Sequence, residues 1–153
     1  MKFVTNLIEA HIFRHTDGGI EFLMLKRAEN EIFPGLWQMV SGKIKDGEKA
    51  YETALREIRE ETGLRPIKFW SAPNINSFYD ADKDNITFLP VFAALIGTSD
   101  DVKLSKEHTA FKWVKTGEAK KLLAWPGQRK SVDVIENYFN KEINFLNFVE
   151  IEI

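Results

Sequence analysis

Apolar and polar residues along the chain change period several times, and each change marks an element. Phe3 to Phe13 carries mixed apolar residues without strong breakers and predicts a first strand, turned by His15 to Gly19. Ile20 to Leu25 reads as a second strand, so Asp17-Gly18-Gly19 is expected to close a hairpin. Ala28 to Gly35 is a polar loop that ends in Phe33-Pro34-Gly35 and leads into a strand over Trp37 to Val40. From Lys49 to Thr62 the apolar positions Tyr51, Ala54, Leu55 and Ile58 recur at helical spacing and define a core-facing stripe. Ile67 to Pro73 and Ile86 to Leu95 read as further strands, separated by a polar loop over Asn74 to Asn85. The second of these is nearly all apolar, as a central strand would be, yet Pro90 removes a ladder donor and points to an edge or a bulge. Ala110 to Val114 is a short strand, Gly117 to Leu123 a short helix and Arg129 to Asn140 a longer one. Asn144 to Ile153 fits either an edge strand or an extended tail. Strands on both sides of one helix, with a second long helix late in the chain, predict an α/β/α sandwich with a mixed sheet between helices. No repeat or linker divides residues 1–153, so a single domain is expected.

The helix over Lys49 to Thr62 has a second face. Glu57, Glu60 and Glu61 stand at i, i+3 and i+4 and therefore share one arc. Like charges so placed repel by a few tenths of a kcal/mol per i, i+4 pair, a cost that a hard divalent cation over the face would offset. Acidic residues on a helix are more often a solvated surface, stabilised here by Arg56 and Arg59. The setting argues for more. Gly42 follows the apolar run Leu36 to Val40, Asp46-Gly47 is a turn signal, Glu48 precedes the helix, and Gly63 supplies a left-handed C-cap.

Gly42 to Leu64, GKIKDGEKAYETALREIREETGL, resembles the Nudix box at every specified position, from Gly42 and Glu48 through Arg56, Glu57, Glu60 and Glu61 to Gly63. The resemblance implies the same α/β/α fold and hydrolysis of a nucleoside diphosphate linked to another group. It implies Mg²⁺, with Mn²⁺ able to substitute, held by Glu57, Glu60, Glu61 and the backbone carbonyl of Gly42. It also implies that Arg56 orients the glutamates, and it offers Glu57 as general base. A metal-bound carboxylate is a weak base, and Glu107 in SKEHTAFKWV is the other candidate, either as a further metal ligand or as the base. His108 beside it reads more readily as a structural residue.

Composition narrows the classes. With 44% hydrophobic and 29% charged residues the chain is ordinary globular material. A net charge of −2 predicts no broad attraction to nucleic acid or membrane. The absence of cysteine removes disulfides, thiolate zinc sites and a Cys nucleophile. MKFVTNLIEAHIF lacks the apolar core and small-residue cleavage site of a signal peptide, so a cytoplasmic location is expected.

Substrate contacts follow from residue type. Lys26 and Arg27 follow the second strand, where cations could meet phosphates, with Arg27 preferred. Phe33, Trp37, Tyr79 and Trp125 are aromatic candidates for stacking on a base. The entry WQMVSG, the Glu107-His108 pair before Phe111 to Val114, and WPGQR over Trp125 to Arg129 are similar to the dihydroneopterin triphosphate pyrophosphatase and dATP pyrophosphohydrolase branch. That similarity adds Arg129 to the substrate contacts and favours a (deoxy)nucleoside or pterin triphosphate, cleaved to a monophosphate and pyrophosphate. The alternatives are the same chemistry on dinucleoside polyphosphates, nucleotide sugars or capped RNA, and a non-catalytic module that senses a nucleotide. The apolar stretch Ile143 to Ile153 is a possible homodimer contact.

Overall fold

A computed structural model describes residues 1–153. Strands β1 (Lys2–Val4), β2 (Leu7–Thr16), β3 (Gly19–Arg27), β4 (Trp37–Gln38), β5 (Val40–Lys43), β6 (Lys68–Asp80), β7 (Asn85–Leu95) and β8 (His108–Val114) form one mixed sheet. Helix α1 (Ala50–Thr62) covers one face, and α2 (Thr116–Leu122) and α3 (Pro126–Asn140) cover the other, giving the expected α/β/α sandwich. Ala54 and Ile58 of α1 pack with Ile8, Ala10, Ile12, Leu23 and Val40. Val132 and Ile135 of α3 pack with Phe13, Phe22, Met39 and Val91. Because side chains alternate along a strand, Ile8, Ala10 and Ile12 enter the α1 layer while Glu9, His11 and Phe13 face α3. No helix is long and apolar enough to cross a membrane.

Several boundaries differ from the reading of the sequence. The first strand is broken at Thr5-Asn6, because β1 and β2 both pair parallel with β7 but in separate stretches. Residues 74–80, expected as loop, belong to β6. They pair with Asn85 to Pro90 in a long hairpin, and their polarity reflects an edge exposed to water rather than a break in the strand. The register shifts between Ser71 and Ile75, where Pro73 sits. Pro90 lies on an inner strand after all. It falls in the gap between the stretch paired to β1, which ends at Thr87, and the stretch paired to β2, which begins at Val91, so its missing N–H interrupts no ladder on that side. Helix α3 begins at Pro126, earlier than expected, with proline in its first turn where no N–H is needed. The C-terminal stretch forms a short 3₁₀ turn (Ile143–Phe148) and then lies along β6, with Ile151 N–H donating to Phe69 O at 2.8 Å and Ser71 N–H donating to Val149 O at 2.8 Å.

His11 is fully buried with no hydrogen-bond partner on either ring nitrogen, and its ring stands edge-on to Phe22. Burial lowers its pKa from 6.5 to about 4. The unfolded chain therefore takes up this proton first, and acidification from about pH 6.5 to 4 costs about 3 kcal/mol of stability through this group. Neighbouring Glu9, raised by burial, works in the opposite sense, since its folded form holds a proton more tightly than the unfolded chain does. In denaturant titrations over that interval, wild type should lose about 3 kcal/mol relative to His11→Leu. Parallel pH profiles for the two proteins would refute the assignment.

Candidate active site

Gly42 lies in β5 on the face turned to α1, directly against the Glu57 side chain of that helix. A Cβ added at Gly42 would overlap the Glu57 side chain, so only glycine lets that carboxylate lie against the strand. Helix α1 stops at Gly63, whose φ of 71° is the left-handed C-cap predicted from sequence, with its N–H donating to Arg59 O.

Arg56 organises the near side of the site. Its guanidinium donates to both Glu48 oxygens, Nε to Oε1 at 2.7 Å and Nη2 to Oε2 at 3.0 Å. Nη1 reaches Glu57 Oε1 at 2.7 Å and Glu60 Oε2 at 3.2 Å, and Nη2 also reaches Lys43 O at 3.1 Å. Glu48 is fixed further by the Thr53 hydroxyl at 2.6 Å and the Lys45 N–H at 3.2 Å, and Arg56 first, then Thr53, holds its carboxyl down at about 2. Arg56 is correspondingly raised, first by its bond to Glu48. One guanidinium thus ties the loop before α1, the end of β5 and two helix glutamates together.

The far side is short of cations. Glu61, placed by sequence on the same open arc as its neighbours, is instead 3% exposed, and its Oε2 has no hydrogen-bond partner. Burial, then the charges of Glu57 and Glu107, push its carboxyl up to about 10, offset in part by Arg27. Glu57 is raised as well, because burial outweighs its bond to Arg56. Glu107 is exposed and comes from the loop before β8. That loop is pinned by backbone bonds, with Ala28 N–H donating to Glu107 O at 2.9 Å and Ser105 N–H donating to Glu61 O at 3.3 Å. The structure therefore brings Glu57, Glu61 and Glu107 together from distant parts of the sequence, while Glu60 stands to one side on Arg56. In this conformation no three acidic or imidazole groups enclose a single point as metal ligands would, since Glu57 and Glu60 are both turned onto Arg56. The chemistry of the set nevertheless fits a hard cation. It is all oxygen, mutually repelling, and includes one buried carboxylate oxygen with nothing to bond.

Arg27, at the end of β3, donates through Nε to Ile32 O and pairs with Glu31 at 3.5 Å. His108 is buried, with its Nε2 3.3 Å from Gln38 Nε2 and its pKa lowered by burial. Trp37 is partly buried on the α3 side, with the Lys112 ammonium 4.8 Å from its ring centre. Trp125 is half-exposed and edge-on to Phe33, with ring centres 6.0 Å apart. Arg129 Nη1 donates to Leu123 O at 3.0 Å and so braces the turn between α2 and α3. Tyr79 is at the far end of the β6–β7 hairpin, bonded to Asp84 at 3.0 Å, and makes no hydrogen bond to the carboxylate cluster. Sequence reading passed over Glu9, Asn76 and Gln128, which meet beneath α3. No signal marked Glu9, because Ile8, Ala10 and Ile12 alternate with Glu9 and His11 as in a strand with one face in water, whereas here both faces are covered.

Residues 7–135 match the model of the NUDIX domain. Nucleoside triphosphatase NudI of Escherichia coli is 29% identical over 102 residues, which are 61% of this chain and 72% of NudI. An octanoyltransferase of Myxococcus xanthus is 33% identical over 99 residues, or 64% of this chain, but the matched part is only 28% of that protein's length. Among solved structures, the Caenorhabditis elegans Ap4A hydrolase superposes with a TM-score of 0.73 at 24% identity, covering 88% of this chain and 96% of that one. The E. coli dihydroneopterin triphosphate pyrophosphohydrolase does so with a TM-score of 0.70 at 21% identity, covering 87% and 97%. Both are similar in fold. The match of the domain model to most of the chain, over the same residues that gather the carboxylates, places this protein in the NUDIX family as a Nudix hydrolase.

Proposed function

We propose that this Nudix hydrolase is a divalent-metal-dependent pyrophosphohydrolase that cleaves a nucleoside or pterin triphosphate to the monophosphate and pyrophosphate. The observation that carries the reading is Glu61, a buried carboxylate with an unpartnered oxygen, facing Glu57 and Glu107 at the end of α1. Glu57, Glu60, Glu61, Glu107 and the Gly42 carbonyl would hold the cation, Mg²⁺ being the ordinary choice for oxygen ligands and Mn²⁺ a substitute. When bound, a divalent ion neutralises phosphate charge and acidifies a coordinated water. Arg56 positions Glu57 and Glu60 by pairing with both carboxylates. Glu107, exposed on a backbone pinned at both Ala28 and Ser105, is free to accept the proton of the attacking water. Arg27 adds positive charge beside Glu61, where substrate phosphates would arrive. Trp37 and Trp125 offer aromatic surface for the ring, and Arg129 braces the turn that leads into Trp125 through its bond to Leu123 O. Tyr79 has no part in this arrangement.

The test is hydrolysis of nucleoside triphosphates, dihydroneopterin triphosphate, dinucleoside polyphosphates and nucleotide sugars, with and without Mg²⁺, and with products resolved by chromatography. Mg²⁺-dependent release of pyrophosphate from a triphosphate is expected. Glu60→Gln should lose at least about 90% of that turnover with an unchanged circular dichroism spectrum, because its side chain is exposed and the fold does not depend on it. Full activity in this variant would overturn the ligand set, and turnover confined to dinucleoside polyphosphates or nucleotide sugars would overturn the substrate class.

A further inference from the structure

We propose that Glu9, Asn76 and Gln128 read the ring of the substrate, and that the ring they select presents an N–H beside an exocyclic amino group, the 2-amino-4-oxo edge common to guanine and pterins. This rests on the triphosphate reading above and makes it more specific. Glu9 is 4% exposed and Gln128 is 7% exposed. Asn76 Nδ2 donates to Glu9 Oε1 at 3.0 Å, and the Gln128 side chain lies beside that carboxyl. What remains unpaired is Glu9 Oε2 and Gln128 Oε1, both oxygens and both without a partner. Two buried acceptors in one cluster need two donors, and burying them without donors is costly.

The place is right for a ring whose phosphates lie at the carboxylates. In the ladder between β2 and β5, Ile8 stands opposite Gly42 and Glu9 stands opposite Ser41. Glu9 is therefore one residue from the Gly42 pair but on the other face of the sheet. Gln128 is in the first turn of α3, which is entered through half-exposed Trp125 beside exposed Phe33. The helix start presses directly on Asn76, since a Cβ at Gly127 would overlap its carboxamide. Polar specificity groups thus adjoin aromatic surface suited to a planar ring. An adenine or cytosine edge offers one donor and one acceptor and would set an acceptor against an acceptor. A 2-amino-4-oxo edge offers two donors side by side. One would go to Glu9 Oε2 and the other to Gln128 Oε1.

The deciding comparison is guanosine against inosine, which differ by the 2-amino group alone. Calorimetry with GMP and IMP reads the ring without chemistry, and kcat/KM for GTP and ITP reads it with chemistry. Wild type should bind GMP about tenfold to a hundredfold more tightly than IMP, because inosine leaves one buried acceptor unpaired. Glu9→Gln, verified by thermal melting, should bring the ratio close to one. Gln128→Met, on a separate element, should lower it independently. Equal affinities in wild type, or a ratio that survives Glu9→Gln, would overturn the inference. Triphosphate hydrolysis with no guanine preference would sink this proposal and leave the proposed function standing. A Glu9-dependent preference for GMP in a protein that hydrolyses no triphosphate would do the reverse.

Discussion

Glu61→Gln is expected to leave the protein more stable than wild type in chelator and almost inactive in Mg²⁺. The carboxyl is buried, faces Glu57 and Glu107, and has its pKa raised to about 10 in the metal-free protein. A raised carboxyl pKa means that the folded form binds the extra proton. The stability is therefore full below the ordinary value of 4.5 and is lost as pH rises toward 10. At pH 7 about 2.5 of those units have been traversed, which amounts to about 3 kcal/mol. Glutamine keeps the shape and removes the titration, so the variant should recover much of that loss and flatten the pH profile of the melting temperature. Activity goes the other way. Losing one anionic oxygen from a site that stabilises a charged transition state should cost at least about a hundredfold in kcat/KM. Mg²⁺ should raise the melting temperature of wild type, and more so at pH 8 than at pH 6, while barely moving the variant. A variant destabilised in chelator would show that Glu61 holds the fold together rather than serving the site.

Gly42→Ala is the second change with a large expected effect, and it acts through space rather than charge. The added methyl group would fall on the Glu57 side chain, so that the carboxylate must leave the strand or the helix must move. Glu57 also carries a bond from Arg56, so its displacement disturbs the Glu48 and Glu60 contacts as well. Overpacking of this kind costs about 1–3 kcal/mol. A misplaced carboxylate at the reacting centre costs about a hundredfold in rate. The two effects separate in the double variant Gly42→Ala/Glu57→Ala, which should regain stability because the clash is with that side chain, yet remain inactive. A double variant as unstable as Gly42→Ala would mean that the clash lies elsewhere.

The loop-helix unit was legible in sequence because it is local. Gly42, the Asp46-Gly47 turn, the apolar stripe and the Gly63 cap all act within a few residues of where they stand, and the helix follows from them. The α/β/α arrangement followed from the order of elements. What was not legible depends on residues far apart in the chain. Glu61 is buried because the 103–107 loop closes over the end of α1, with Lys103 N–H on Thr62 O, and nothing in the helix itself announces that loop. Tyr79 read as a stacking residue because of its type, but hairpin register carries it to Asp84. The β6 strand was cut short because Asn74 to Asp80 looks polar, and the pairing that holds it comes entirely from β7. Arg129 is the intermediate case, since its position beside Trp125 was evident but its bond to the Leu123 carbonyl depends on the turn between two helices.

The final segment covers the start of the sheet's outer border through a main-chain bridge. Ile151 N–H and Val149 O make the bonds, while Glu150 faces Trp70 across the bridge and pairs with Lys68 at 3.6 Å. The main-chain pairing is indifferent to side-chain identity, so latitude for substitution falls on Glu150, between the core-packed Val149 and Ile151, while proline at 151 would remove a donor. Phe69 to Ser71 of the sheet border are thereby shielded from other chains.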